Sequence, residues 1–214
     1  MRARVIAREL RIHAPFTAFG AGTGVAIMSA MAVFQVPTSI STTLFWVFHP
    51  THVLLSALVT AGMYRLHGKA RLWQTFLVGY FGSIGIATLS DSLIPYLGEA
   101  LLSLPHKRVH LGFIEKWWLV NPLAIAGVLL GDFKLATKLP HAGHVLLSTW
   151  ASLFHMTMAL APPLSATVLA GAAAFLFLSV WVPCCTSDIV FPLLFVREQS
   201  SHDNRNAATQ TGPG

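Results

Sequence analysis

Histidines come in matched pairs along this chain. His49 and His52 open the stretch His49-Pro50-Thr51-His52-Val53-Leu54-Leu55-Ser56, and His141 and His144 open His141-Ala142-Gly143-His144-Val145-Leu146-Leu147-Ser148. Both read H-x-x-H-V-L-L-S. Side chains three positions apart share one helix face. Two neutral imidazoles on one face can share a divalent transition metal such as zinc, iron, copper, nickel or manganese. A histidine at a span end also serves as an interfacial residue or cap, a use that fits His49 and His141 more readily than the deeper His52 and His144.

A second motif is also written twice and adds a carboxylate. Ser90-Asp91-Ser92-Leu93-Ile94-Pro95-Tyr96-Leu97 and Ser187-Asp188-Ile189-Val190-Phe191-Pro192-Leu193-Leu194 both read S-D-x-apolar-apolar-P-x-L. A carboxylate within a membrane costs about 2.5 to 3.5 kcal/mol on insertion scales, so it normally faces a partner or a cavity. Ser-Asp with proline four residues on also resembles a helix restarting, with Asp as its N-cap. The two uses are compatible. The candidate metal ligands are therefore His49, His52 and Asp91 in one set, and His141, His144 and Asp188 in the other.

Supporting residues follow from position. Ser56 and Ser148 lie one turn beyond the second histidine of each pair, where they line the same cavity or back-bond to the helix. Ser90 and Ser187 precede the aspartates. His155 falls on roughly the face of His144 and has no counterpart in the first half. Cys184 and Cys185 lie a turn before Asp188 and read as packing residues or soft-metal ligands. Adjacent cysteines bridge only with strain, so they imply no disulfide framework. Glu99 and Glu115 read as solvated loop charges.

These residues need helices in a membrane to position them. Of 214 residues, 54% are hydrophobic and 10% charged, whereas soluble domains carry about 25% charged residues. Mean hydropathy is +0.63. The net charge of +6 sits in short segments between apolar runs, which speaks for topology and anionic lipid. No clustered basic face with polar surroundings marks a nucleic-acid site.

Six spans are expected, near 16–36, 43–66, 73–97, 117–133, 141–160 and 167–196. The first follows Arg2, Arg4, Arg8 and Arg11 and is read as retained in the mature protein. The 98–116 connection is polar, and a polar, disordered tail follows the last span. A third echo, Pro15-x4-Gly20-x3-Gly24 against Pro122-x4-Gly127-x3-Gly131, reads as close helix contacts. The three echoes keep one order, so the chain reads as two repeats, 1–110 and 111–198, with a tail at 199–214. Three spans per repeat turn the second copy over, giving an inverted-repeat architecture.

The expected fold is an all-α polytopic membrane protein, in the plasma (inner) membrane with both termini cytoplasmic. The expected function is transport of a divalent metal cation, or of a small proton-coupled solute, past two His/His/Asp sites. The alternatives are a membrane-embedded metal-dependent hydrolase and a redox subunit with haem between His52 and His144. The expected partners are the lipid bilayer, the metal ion or solute, and further copies of the chain as a homo-oligomer.

Overall fold

The computed structural model describes residues 2–67, 71–132, 138–161 and 164–187. Among them all regular structure is helical: α1 Arg2–Val33, α2 Thr38–His67, α3 Leu72–Thr88, a π-helical turn Leu89–Leu93, α4 Ile94–Leu101, α5 Gly112–Glu115, α6 Trp117–Asp132, α7 Lys138–Ala159 and α8 Ala166–Ser187. In lipid every backbone N–H and C=O must be satisfied within its own segment, which an apolar helix achieves. Four stretches are long and apolar enough to cross a membrane: Ala14–Val33, Thr38–Arg65, Leu72–Leu101 and Ala166–Pro183. The protein is an integral membrane protein. Trp117–Gly131 is apolar but shorter. Although α7 runs for 22 residues, its histidines, serines and threonines dilute its apolar character.

The surface is inverted relative to a soluble protein. Leu77, Phe81, Leu89, Leu93, Leu97 and Leu101 stand exposed at intervals of four or eight along one rod, while Ser90, Asp91, Ser92 and Glu99 of the same rod are fully buried. Lipid tails solvate leucine, so the interior is left for polar groups.

At the centre lies α2, packed on α3, α6 and α7, while α1 packs on α7 and α8. Phe45, Leu153, Met156 and Leu176 fill one apolar core, and Val53, Ala87, Val120 and Ala124 fill another. The α2–α6 contact is close enough that a Cβ at Gly127 would meet the carbonyl oxygen of Leu54 and the methyl of Ala57. The Gly127/Gly131 pair thus seats α6 against the α2 backbone.

Two sequence expectations change here. The Ser90-Asp91…Pro95 segment is not a break. The helix continues through one π turn, Asp91 does not cap it, and Pro95 sits in the first turn of α4, where its missing N–H matters least. The rod therefore runs on from the expected end of its span at 97 to Leu101, and carries Glu99 out of the loop and into the helix.

Candidate functional site

The π turn holds Asp91 against α2 and α7. A π turn carries one residue more than an α turn, and such turns gather at functional sites. Asp91 Oδ2 lies 2.9 Å from His49 Nδ1 and 2.7 Å from His52 Nδ1. Its Oδ1 accepts from Ser90 Oγ at 2.7 Å and from Ser148 Oγ at 2.9 Å. All five side chains are buried. An ionised carboxylate offers about four lone-pair sites and only accepts. Here two imidazoles and two hydroxyls fill them. With the carboxylate ionised, both rings donate from Nδ1, which turns each Nε2 to other use.

For His49 that other nitrogen is buried and has no hydrogen-bond partner. It abuts Gly112 of α5, where a Cβ would collide with it. Glycine at that position lets the loop close onto the ring. Phe45 stacks on the His49 ring, with ring centroids 5.3 Å apart. His144 reaches the centre from α7, and its ring centroid lies 4.9 Å from that of His52. Further along α2, Ser56 and Thr60 are fully buried, and neither hydroxyl has a hydrogen-bond partner. His49, His52, Ser56 and Thr60 recur at helical spacing and so form one polar stripe inside an apolar bundle.

A second cluster lies two turns along the same rod. His155 Nδ1 is 2.7 Å from Glu99 Oε1, and His155 Nε2 is 3.3 Å from Ser92 Oγ. The backbone N–H of His110 donates to Ser92 Oγ at 3.0 Å, and that of Arg108 to Glu99 Oε2 at 3.4 Å. Glu99, read from sequence as a solvated loop charge, is fully buried. It sits within a helix beside His155, and the 104–111 segment folds over it. At the surface, His110 Nδ1 lies 3.0 Å from Glu115 Oε2, and the Leu111 N–H donates to Glu115 Oε1 at 3.0 Å. Partial burial works to raise the Glu115 pKa, but the His110 ring and the Leu111 N–H outweigh it and hold the carboxyl below its ordinary value.

The structure therefore brings His49, His52 and Asp91 together as a set. Ser90 and Ser148 join them, with His144 alongside. Ser148 was expected beside His144 and Asp188, yet it donates to Asp91, so one centre draws on both halves of the chain. His155 joins Glu99. The side chains of His141, Cys184, Cys185 and Ser187, and all of Asp188, lie outside the described residues. Among the described residues no group of three or more His, Cys, Asp or Glu side chains gathers as a metal cage.

Sequence reasoning missed Ser92, Glu99 and His110. For Glu99 a signal existed, since Gly98-Glu99-Ala100-Leu101-Leu102 puts a lone carboxylate in an apolar run. For His110, a loop residue, none did. Compared with protein-family models, curated proteins and solved structures, the chain matches none.

Proposed function

We propose that this protein is a proton-coupled membrane transporter whose cargo is a small cation, a divalent transition-metal ion being the favoured class. The observation that carries this is the Asp91 carboxylate, buried between His49 and His52 with all its lone pairs used. Ionisable groups inside a membrane are costly and mark ion pathways and proton relays. Asp91 stands about 15 Å from the Leu101 end of its rod at ~1.5 Å per residue, near half the thickness of a hydrocarbon core. Deprotonated, the centre carries one negative charge and two bases, which suits a cation exchanged against protons. The facing rings of His52 and His144 favour a transition-metal cargo, because imidazole suits such ions. The unpartnered hydroxyls of Ser56 and Thr60 supply polar steps onward from the centre.

An inverted three-plus-three architecture, with α6 and α7 completing six spans, fits this use. The packing supports it: α1 lies on α7 and α8, and α6 lies on α2 and α3. The first helix of each half thus leans on the second and third helices of the other. The basic segments favour the plasma membrane with both termini cytoplasmic. A hydrolase at Asp91 is less well supported, since the hydroxyls of Ser90 and Ser148 are both held by the carboxylate.

The test is uptake into proteoliposomes under an imposed pH gradient, with zinc and manganese offered separately. Gradient-driven uptake that Asp91→Asn abolishes in a folded protein is the expected result. Proton flux without uptake of either ion would remove the metal as cargo. Neither flux nor uptake in the wild type would remove transport itself.

A further inference from the structure

We infer that Glu99 and His155 form a second proton-binding station, and that the His110–Glu115 pair is its mouth to water. This deepens the transport reading and rests on it for its purpose, though not for its test. The two carboxylates of the rod, Asp91 and Glu99, are both fully buried, and each is held by imidazole Nδ1. A buried carboxylate is tolerated when hydrogen-bonded and paired. Nothing about helix packing calls for a second such pair on the same rod.

The geometry is directional. With Nδ1–H of His155 donated to Glu99, its Nε2 is left to accept from Ser92 Oγ, and that hydroxyl in turn accepts the His110 N–H. Carboxylate, imidazole and hydroxyl follow one another from Glu99 toward the loop, where the row ends at the His110 backbone N–H. The His110 ring lies edge-on to His155 with centroids 5.4 Å apart. It is 12% exposed while its partner Glu115 is 33% exposed, so the pair stands where the buried groups meet water. Phe45 fills the space between the rings of His49, His110 and His155. It puts apolar surface between the His155 ring of the station and the His49 ring of the Asp91 centre.

Among the described residues, the groups facing Glu99 are few. From α7 comes His155, from the loop the Arg108 N–H, and from α8 the ring of Phe175 against Gly98. The groups facing His110 are Glu115 and His155, with Arg108 acting on Glu115 through space. Lys116 is drawn aside over Trp46 and Trp118, 5.8 Å from each ring centroid. Glu99 therefore exchanges a proton chiefly through His155.

Ser92, His155 and Glu99 also follow the order of an acyl-transfer triad. We favour proton binding because the Ser92 hydroxyl is fully buried and already held by the His110 N–H. The experiment separates the two uses.

The full chain in lipid nanodiscs is followed by infrared difference spectroscopy of the protonated-carboxyl band as pH is lowered. The expected result is a band that Glu99→Gln removes and Asp91→Asn leaves. Where Glu99→Gln does not fold, isotope-labelled glutamate should shift this band, and labelled aspartate should not, in a chain whose other glutamates, Glu9, Glu115 and Glu198, are glutamine. After a pH jump, His110→Ala should keep the end point and slow the band's appearance about a hundredfold, the lower range for a positioned proton donor. A band that follows labelled aspartate alone, or that Glu99→Gln leaves intact, overturns the station, and an unslowed His110→Ala overturns the mouth. Covalent labelling of Ser92 by a fluorophosphonate, lost in His155→Ala, would replace proton binding with hydrolysis. Loss of the transport reading in vesicles leaves the band in place, so the two can fail separately.

Discussion

Ser148 Oγ lies 2.9 Å from Asp91 Oδ1 across a sequence separation of 57 residues. A hydroxyl from one half of the chain thereby completes the acceptor set of a carboxylate in the other. Hydrogen bonds to charged groups contribute about 1.5 to 3 kcal/mol each. Ser148→Ala should lower unfolding stability in detergent by that order, and Ser148→Thr should restore part of it. Equal stability of Ser148→Ala and wild type would mean the contact is idle.

His52 and Asp91 should behave as one unit. Removing either partner of a buried pair costs roughly 3 to 5 kcal/mol, because the other is left desolvated. His52→Ala and Asp91→Ala should each destabilise strongly, and the double variant should be little worse than either. Additive losses in chemical unfolding would show that the two side chains do not share an interaction.

Gly112 should control how the loop seats. An added Cβ meets His49 Nε2, and overpacking of this kind costs about 1 to 3 kcal/mol. Gly112→Ala should speed amide exchange across 108–116 while α2 and α3 stay protected. The loop closes onto His49 for some other reason if exchange in that segment does not change.

The His110–Glu115 latch should weaken in acid. The folded Glu115 carboxyl lies below its ordinary value, so its stabilising effect is complete above about pH 4.3, the unfolded glutamate value. That effect is lost as pH falls through the lower folded value. Protection at residues 110–116, measured against the intrinsic exchange rate at each pH, should therefore fall in acid, and Glu115→Gln should show the low protection at every pH. A wild-type loop that loosens only on the alkaline side contradicts this sign.

Much of the centre was legible in the sequence because its residue types are costly in a membrane. Spacing and repetition alone single out His49, His52 and Asp91 as a set with Ser56 and Ser90 beside them, and place Ser148 with His144 and Asp188 instead. What could not be read was which half each side chain would serve. Ser148 and its echo Ser56 have the same local surroundings, yet one donates to Asp91 and the other has no partner. That outcome depends on how α2 and α7 cross, which no local pattern encodes. Glu99 reads as a loop charge because it stands at the start of the polar 98–116 connection, just past the apolar run that reaches Leu97. The helix nevertheless runs on through Leu101 and buries it.

The π turn sets a phase. Between Leu72 and Leu101 the rod contains one widened turn, Leu89–Leu93, so the segment beyond it is rotated relative to an unbroken α-helix. Each residue of an α-helix advances the azimuth by about 100°. Deleting one residue within 89–93 would remove the surplus and leave the azimuth of Ile94–Leu101 nearly unchanged. Winding the same residues as regular α-helix would instead swing that segment around by about 100°. Glu99 would leave His155 and face lipid, while Asp91 could keep its histidines. The azimuth between the two carboxylates is thus held by the widened turn that absorbs a single surplus residue. Any process that moves this surplus along the rod turns one carboxylate against the other without breaking the helix.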